Sequence, residues 1–232
     1  MRRYYLTVQI KSDATFGRGA GLAGLLDVEI EHDQFGCPFI GGRVLKGLLV
    51  EEWTNLRFAL SDPPSSSGTK MRSWDNEATW LFGTSGATQA HMHIDAATLP
   101  PDLHTSIQRD VESKRLQPHD VLSSLTAIRR QTAMDAETGA PEEASLRAMR
   151  VLLRETDLIA PLDFDVAFPA DQQSRILGLL SACVLAVRRG GTGRNRGRGK
   201  IALLLHESEP ANYHDATFTH TCFTAFANEV RQ

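Results

Sequence analysis

Leu158-Ile159-Ala160-Pro161-Leu162-Asp163-Phe164-Asp165-Val166-Ala167-Phe168 is the stretch on which the fold turns. Leu158, Ala160, Leu162, Phe164, Val166 and Phe168 take the even positions, with Asp163 and Asp165 between them. That period of two predicts a strand with one face in a core. Pro169-Ala170-Asp171 should then open a helix, with Asp171 as its N-cap. Ile176, Leu179, Leu180, Cys183, Val184 and Val187 form the stripe that helix would bury. Beyond a loop of glycine and arginine, residues 201–205 read as a short apolar strand.

Working outward toward the N-terminus, Tyr4, Leu6, Val8 and Ile10 alternate with Tyr5, Thr7 and Gln9, the pattern of another half-buried strand. A glycine-rich loop follows (Gly17, Gly19, Gly21 and Gly24, with Arg18 among them). Across residues 43–60, Leu45, Leu48, Leu49, Trp53, Leu56 and Leu60 fall on one helical face. Residues 61–73, with Pro63, Pro64 and a run of serines, read as a surface loop. Residues 89–97 alternate again, Met92, Ile94 and Ala96 against His91, His93 and Asp95. The polar segment 118–130 starts as a helix and leads to a turn-rich tip at residues 135–141. The resulting order is strand, helix, strand, strand, helix, strand. It predicts one α+β domain over residues 1–232, of the ferredoxin-like kind also used by RNA-recognition folds, with long insertions.

Bulk properties narrow the function. In 232 residues, 41% hydrophobic content is enough for a real core. No apolar run reaches the roughly 18 residues of a membrane span, and no apolar stretch follows the basic start as in a signal peptide. Cys37, Cys183 and Cys222 are scattered, with neither a disulfide framework nor paired zinc ligands. Reduced thiols in a cytoplasmic protein are expected. A net charge of −3 argues against binding nucleic acid through bulk charge alone. The cations are nevertheless concentrated: Arg188, Arg189, Arg194, Arg196, Arg198 and Lys200 lie together with no acid between them.

That cluster sits in Gly190-Gly191-Thr192-Gly193-Arg194-Asn195-Arg196-Gly197-Arg198-Gly199-Lys200. Glycines let backbone approach a phosphate, and guanidinium forks match its oxygens. A dinucleotide loop would follow a strand and open a helix, whereas this one follows a helix and enters a strand. The bland alternative is a solvated glycine loop. A second anion site is offered by Gly41-Gly42-Arg43-Val44-Leu45-Lys46-Gly47, where glycines precede a helix start and Arg43 and Lys46 lie one turn apart. An ordinary helix with exposed cations would look the same. Asp27, Glu29, Glu31 and Asp33, with His32 among them, would share one face of an extended segment. Most such faces are simply solvated, but a carboxylate beside RNA can hold a divalent ion. His91 and His93 share a strand face without a spaced third ligand, and Ser123 and Ser124 lie in no nucleophile elbow.

Taken in order, Gly24-Leu25-Leu26-Asp27, Asp33 and Pro38-Phe39-Ile40-Gly41-Gly42-Arg43-Val44-Leu45-Lys46-Gly47 resemble the N-terminal signature of the RAMP superfamily. The likeness is to the repeating backbone subunits of type III CRISPR effectors. Leu81-Phe82-Gly83, His93-Ile94-Asp95-Ala96, Ala133-Met134-Asp135 to Thr138-Gly139, Leu146-Arg147 and the glycine-arginine loop at 190–200 extend it over most of the chain. Gly41-Gly42-Arg43 departs from the family's usual proline-glycine followed by Ser or Thr.

The resemblance implies a modified RNA-recognition fold, with a thumb hairpin at about residues 128–150 and Arg129 and Arg130 near its base. It implies contacts to guide RNA through Arg18, Arg43, Lys46, Arg129, Arg130, Arg194, Arg196 and Arg198. It also implies target-RNA cleavage supported by Asp27 rather than Asp33, with Asp27 holding Mg2+. The implied partners are guide RNA, target RNA and other RAMP-type and small subunits, with no membrane. Two alternatives stay open: an architectural RNA-binding subunit without chemistry, and a metal-independent guide-processing nuclease with His32 as general base.

Overall fold

The computed structural model describes residues 3–17, 26–60, 74–84, 86–134, 137–140, 145–169 and 171–231. Six strands and six helices lie among them: β1 (Tyr4–Ile10), α1 (Gly42–Leu60), α2 (Asp75–Phe82), β2 (Met92–Ile94), α3 (Pro101–Glu112), α4 (Pro118–Leu125), β3 (Thr126–Gln131), β4 (Arg147–Leu152), β5 (Asp157–Phe164), α5 (Gln173–Ala186), β6 (Ile201–His206) and α6 (Thr217–Val230). The main sheet runs β2-β5-β1-β6 with every pair antiparallel, and β3 with β4 makes a separate hairpin. The fold is therefore α+β.

Registry puts the apolar residues of three strands on one face. Leu6 lies between Ala160 and Leu205, and Val8 between Leu158 and Leu203. All six are buried with Leu45, Leu49 and Trp53 of α1 and with Ile176, Leu179 and Val184 of α5. Each such side chain contributes about 1.5–3 kcal/mol by leaving water. The opposite face of β1 is polar but also covered. Thr7 Oγ1 lies 2.9 Å from His206 Nε2, and Gln9 Nε2 donates to the Tyr213 carbonyl. These bonds satisfy the polar groups that burial would otherwise penalise. Helix α5 is buried nearly all round because α6 covers its outer side, where Gly178 faces the backbone of Cys222 and Phe226.

The expected strands and helices are found, with corrections. The strand expected over 158–168 ends at Phe164, and Val166 is exposed. The strand expected over 89–97 shrinks to three residues, although Ile40 bridges to Ala97 and Thr98 to Ile159 farther along. Asp171 does not cap α5. It has φ +61°, and the cap position falls to Gln172 with no side-chain hydrogen bond. In that left-handed conformation Asp171 belongs to the turn before the helix. The acids at 27–33 do not form one solvated face, because Glu29 is buried. Helices α2, α3 and α6 had no counterpart in the sequence reading. The segment at 61–73 and Arg18 lie outside the described residues, as does most of the glycine loop at 17–24.

Two glycines of α1 separate packing from propensity. A Cβ on Gly42 would stand 1.8 Å from the Ile94 carbonyl oxygen, so the helix start docks on β2 only without a side chain. A Cβ on Gly47 would meet nothing within 4 Å. Gly42→Ala should therefore cost about 1–3 kcal/mol, and Gly47→Ala should gain up to about 1 kcal/mol in denaturant unfolding. Equal effects of the two substitutions would contradict this docking.

Candidate nucleic-acid interface

The hairpin β3–β4 carries the hydrogen bonds that gather the expected residues. On one side β4 pairs with β3; on the other it meets two separate segments. Ala14 and Leu152 exchange backbone bonds of 3.1 and 2.7 Å, and farther along Val28 bridges Met149 in parallel. Asp27 N–H donates to the Ala148 carbonyl at 2.8 Å, and Ala148 N–H donates to Asp27 Oδ2 at 2.6 Å. The Asp27 side chain is exposed, and Oδ1 has no hydrogen-bond partner among the described residues.

An ion pair fixes this segment. Arg150 Nε donates to Glu29 Oε1 at 2.8 Å, and an Arg150 Nη1 donates to Thr126 Oγ1 at 3.2 Å. The side chains are 15% and 2% exposed, so the pair is largely shielded from water. Glu29 Oε1 also accepts from Ile30 N–H. A buried charge of this kind is tolerated only with its partner in place.

The glycine-arginine loop is ordered against the same region. Thr192 N–H donates to the Thr15 carbonyl at 2.7 Å and Gly199 N–H to the Asp13 carbonyl at 2.9 Å. Gly199 has φ +69°, and a Cβ there would stand 2.1 Å from the Gly190 oxygen. Glycine at this position is thus a steric requirement. The Arg198 guanidinium reaches the Met149 sulfur at 2.8 Å, next to the residue that Asp27 holds.

The expected cations differ in availability. Arg194 makes a two-point bond to Glu51 of α1 at 2.8 and 2.6 Å, which holds the Glu51 carboxyl below its ordinary range. Arg129 grips Asp13 through Nε and an Nη2 at 2.9 and 2.6 Å. Arg43, Arg130 and Arg196 are exposed and have no ion-pair partner among the described residues. Burial lowers the Lys46 ammonium. A Cβ on Gly41 would stand 3.2 Å from Glu31 Oε2, so a carboxylate already neighbours the start of α1. Arg43 and Glu51 are eight residues apart, hence about 12 Å apart along the axis of α1 and about 80° apart around it.

An open cleft of about 550 Å³ lies at the hairpin base, with Lys11, Asp13, Arg129, Arg154, Glu155 and Arg198 in its lining. Lys11 and Arg154 were missed in the sequence. They are single cations at the end of β1 and in the β4–β5 turn, and only the antiparallel pairing brings them together. Among the described residues Asp27 belongs to no group of three ligand-bearing side chains. His91 and His93 both turn to one carboxylate, Asp165, at 2.8 and 3.6 Å. His32 is exposed, with Nδ1 3.0 Å from the Asp33 carbonyl oxygen.

Comparison with known proteins places the fold. A chain of a type III-B Cmr-beta assembly in its apo state, solved by cryo-electron microscopy, matches with a TM-score of 0.59 at 10% identity. The match covers 88% of this chain and 97% of that one. A chain of type III-B Cmr-beta bound to cognate target RNA gives the same TM-score and coverage at 9% identity. At that identity the likeness is one of fold. No protein-family profile matches the sequence, and no curated protein matches it. No helix among the described residues is long and apolar enough to cross a membrane.

The Glu29–Arg150 pair gives a direct test of what holds the segment. Arg150→Met leaves Glu29 buried without its counter-charge and should cost about 3–5 kcal/mol in denaturant unfolding. Adding Glu29→Leu should recover most of that loss, since the pair is then replaced by apolar contact. A single-variant cost below about 1 kcal/mol would show that the pair is solvated.

Proposed function

We propose that this chain is a guide-RNA-binding backbone subunit of a type III CRISPR effector, of the RAMP kind, and that it cleaves guide-paired target RNA at Asp27. The observation that carries the proposal is the convergence of Asp27 and Arg198 on the adjacent residues Ala148 and Met149 of β4, in the tip-side half of the β3–β4 ladder. Chain order β1-α1-β2-β5-α5-β6 with sheet order β2-β5-β1-β6 supports a ferredoxin-like domain into which the hairpin is inserted. The fold shared with Cmr-beta chains supports the same assignment. The protein's partners are then guide RNA, target RNA and neighbouring RAMP-type and small subunits.

Guide RNA is held by backbone contacts rather than by base reading, and base pairing supplies sequence. Arg43, Arg130 and Arg196 offer guanidinium groups without an ion-pair partner among the described residues, whereas Arg129 and Arg194 must exchange Asp13 and Glu51 for phosphate. The hairpin is the thumb that kinks the paired strands. Asp27 is fixed through Oδ2, which leaves Oδ1 without a hydrogen-bond partner among the described residues. One free carboxylate oxygen fits Mg2+, which takes one or two protein carboxylates and completes its shell with water and phosphate oxygens. Bound there, the ion would neutralise charge on the scissile phosphate during in-line attack by the 2′-hydroxyl. The protein's own part is positioning: β4 holds Asp27 and the hairpin holds the kink.

The architectural alternative is favoured by one observation, that among the described residues Asp27 belongs to no group of three ligand-bearing side chains. Cleavage of guide-paired RNA by the assembled complex separates the readings. Asp27→Ala should abolish cleavage with guide and target affinity nearly unchanged, and chelation should do the same to the wild type. Full cleavage by Asp27→Ala would establish the architectural role at this site. Cleavage of a guide precursor that persists under chelation and disappears in His32→Ala would establish the metal-independent guide-processing one.

RNA affinity tests the loop separately. Arg194→Ala with Arg196→Ala should weaken binding alike for all guide sequences. It should also flatten the salt dependence by about one or two phosphate contacts. Losses confined to particular sequences would contradict backbone recognition.

A further inference from the structure

Away from the hairpin, three side chains of different chemistry meet where the loop before α1 touches α3. His104 Nε2 lies 2.6 Å from Asp33 Oδ2. Cys37 completes a group in which one ligand atom from each residue lies within 4.8 Å of the others. The sequence hides this set, because His104 stands far down the chain from Asp33 and Cys37.

We infer that Asp33, Cys37 and His104 form a zinc site that pins α3 to the loop ahead of α1. The donors are one carboxylate oxygen, one thiol sulfur and one imidazole nitrogen, a soft and borderline set suited to Zn2+ and poorly suited to Mg2+ or Ca2+. With a thiolate and a carboxylate, the ion's two charges are balanced. The Asp33 carboxylate is already oriented: Oδ1 accepts from Phe35 N–H and Cys37 N–H, both at 2.9 Å, which turns Oδ2 toward His104. Metal-bound carboxylates are commonly steadied in this way.

The backbone around the donors is held by packing. Gly36 has φ +83°, and a Cβ there would stand 1.9 Å from the Pro118 carbonyl oxygen, so the knuckle closes directly on the start of α4. The Phe35 ring meets the His104 imidazole edge to face, with centroids 6.1 Å apart. Cys37 is 2% exposed, while the Asp33 and His104 side chains keep 29% and 27% of their exposure. That open side leaves room for water as a fourth ligand.

Without metal, the short Asp33–His104 contact is a hydrogen bond lying where the ion would sit. The Cys37 thiol, pushed up to about 11 by burial and by the Asp33 carboxylate, stays protonated. On binding, the thiol releases its proton to solvent, and the His104 ring proton resides on Nδ1. The two side chains spread to ordinary Zn–N and Zn–O distances of about 2.0–2.2 Å. This role is separate from RNA binding and cleavage, and its test does not use RNA.

The test is metal binding by the purified full chain, with Zn2+ and Co2+ as probes. After dialysis against Zn2+ the wild type should retain one equivalent. Its Co2+ form should show a thiolate-to-cobalt charge-transfer band and the intense visible spectrum of tetrahedral cobalt. Cys37→Ala should lose the charge-transfer band, and both Cys37→Ala and His104→Gln should bind Zn2+ at least about tenfold more weakly. Should Cys37→Ala fail to fold, His104→Gln decides, since its side chain lies at the open edge. No retained zinc in the wild type overturns the site. Equal zinc affinity in His104→Gln overturns it too, and would assign the ion to other histidines such as His91 and His93.

Discussion

A single buried ion pair, Glu29 with Arg150, sets the geometry on which the candidate interface depends. It joins a segment that leaves β1 through a glycine-rich loop to the strand that forms half of the hairpin. Removing either charge strands the other in a site from which water is nearly excluded, so the pair specifies one register. With Arg150 on Glu29, Val28 must lie beside Met149 and Asp27 beside Ala148. A slip of one residue would turn Asp27 away from the exposed edge and put Val28 in its place.

The charge distribution follows a related economy. The chain is net negative, yet the cations near the hairpin outnumber the acids. Two are held in exposed ion pairs, Arg129 with Asp13 and Arg194 with Glu51. These exposed pairs contribute little stability, on the order of 0–1 kcal/mol. Under the proposed function, a phosphate must displace a carboxylate from them, and among the described residues it meets no such competitor at Arg43, Arg130 or Arg196. Under the same proposal, this partial neutralisation restricts strong binding to an RNA backbone that engages several sites together.

Much of this was legible in the sequence, for identifiable reasons. Period-two alternation marked β1 and β5 because each buries one apolar face, and the leucine stripe marked α1. Glycine and arginine density marked the loop at 190–200, since both residue types have a local cause there. Helices α2, α3 and α6 were hidden by mixed faces; α3 has no buried residue to set a stripe. Asp171 resembled an N-cap by residue type, but capping depends on a backbone conformation that the preceding turn overrides. The burial of Glu29 was invisible because its partner Arg150 is remote in sequence. The same holds for Lys11 with Arg154, and for His104 with Asp33 and Cys37: tertiary pairing, not spacing, assembles them.

The central claim is that the hairpin base and the glycine-arginine loop hold a guide RNA. Its most direct measurement is sequencing of the RNA that co-purifies with the chain in its native complex, with ultraviolet crosslinks mapped onto the protein. The account predicts RNAs of uniform design bearing a repeat-derived tag, with crosslinked peptides from residues 126–152 and 188–200. Heterogeneous host RNA, or crosslinks confined to other surfaces, would contradict it.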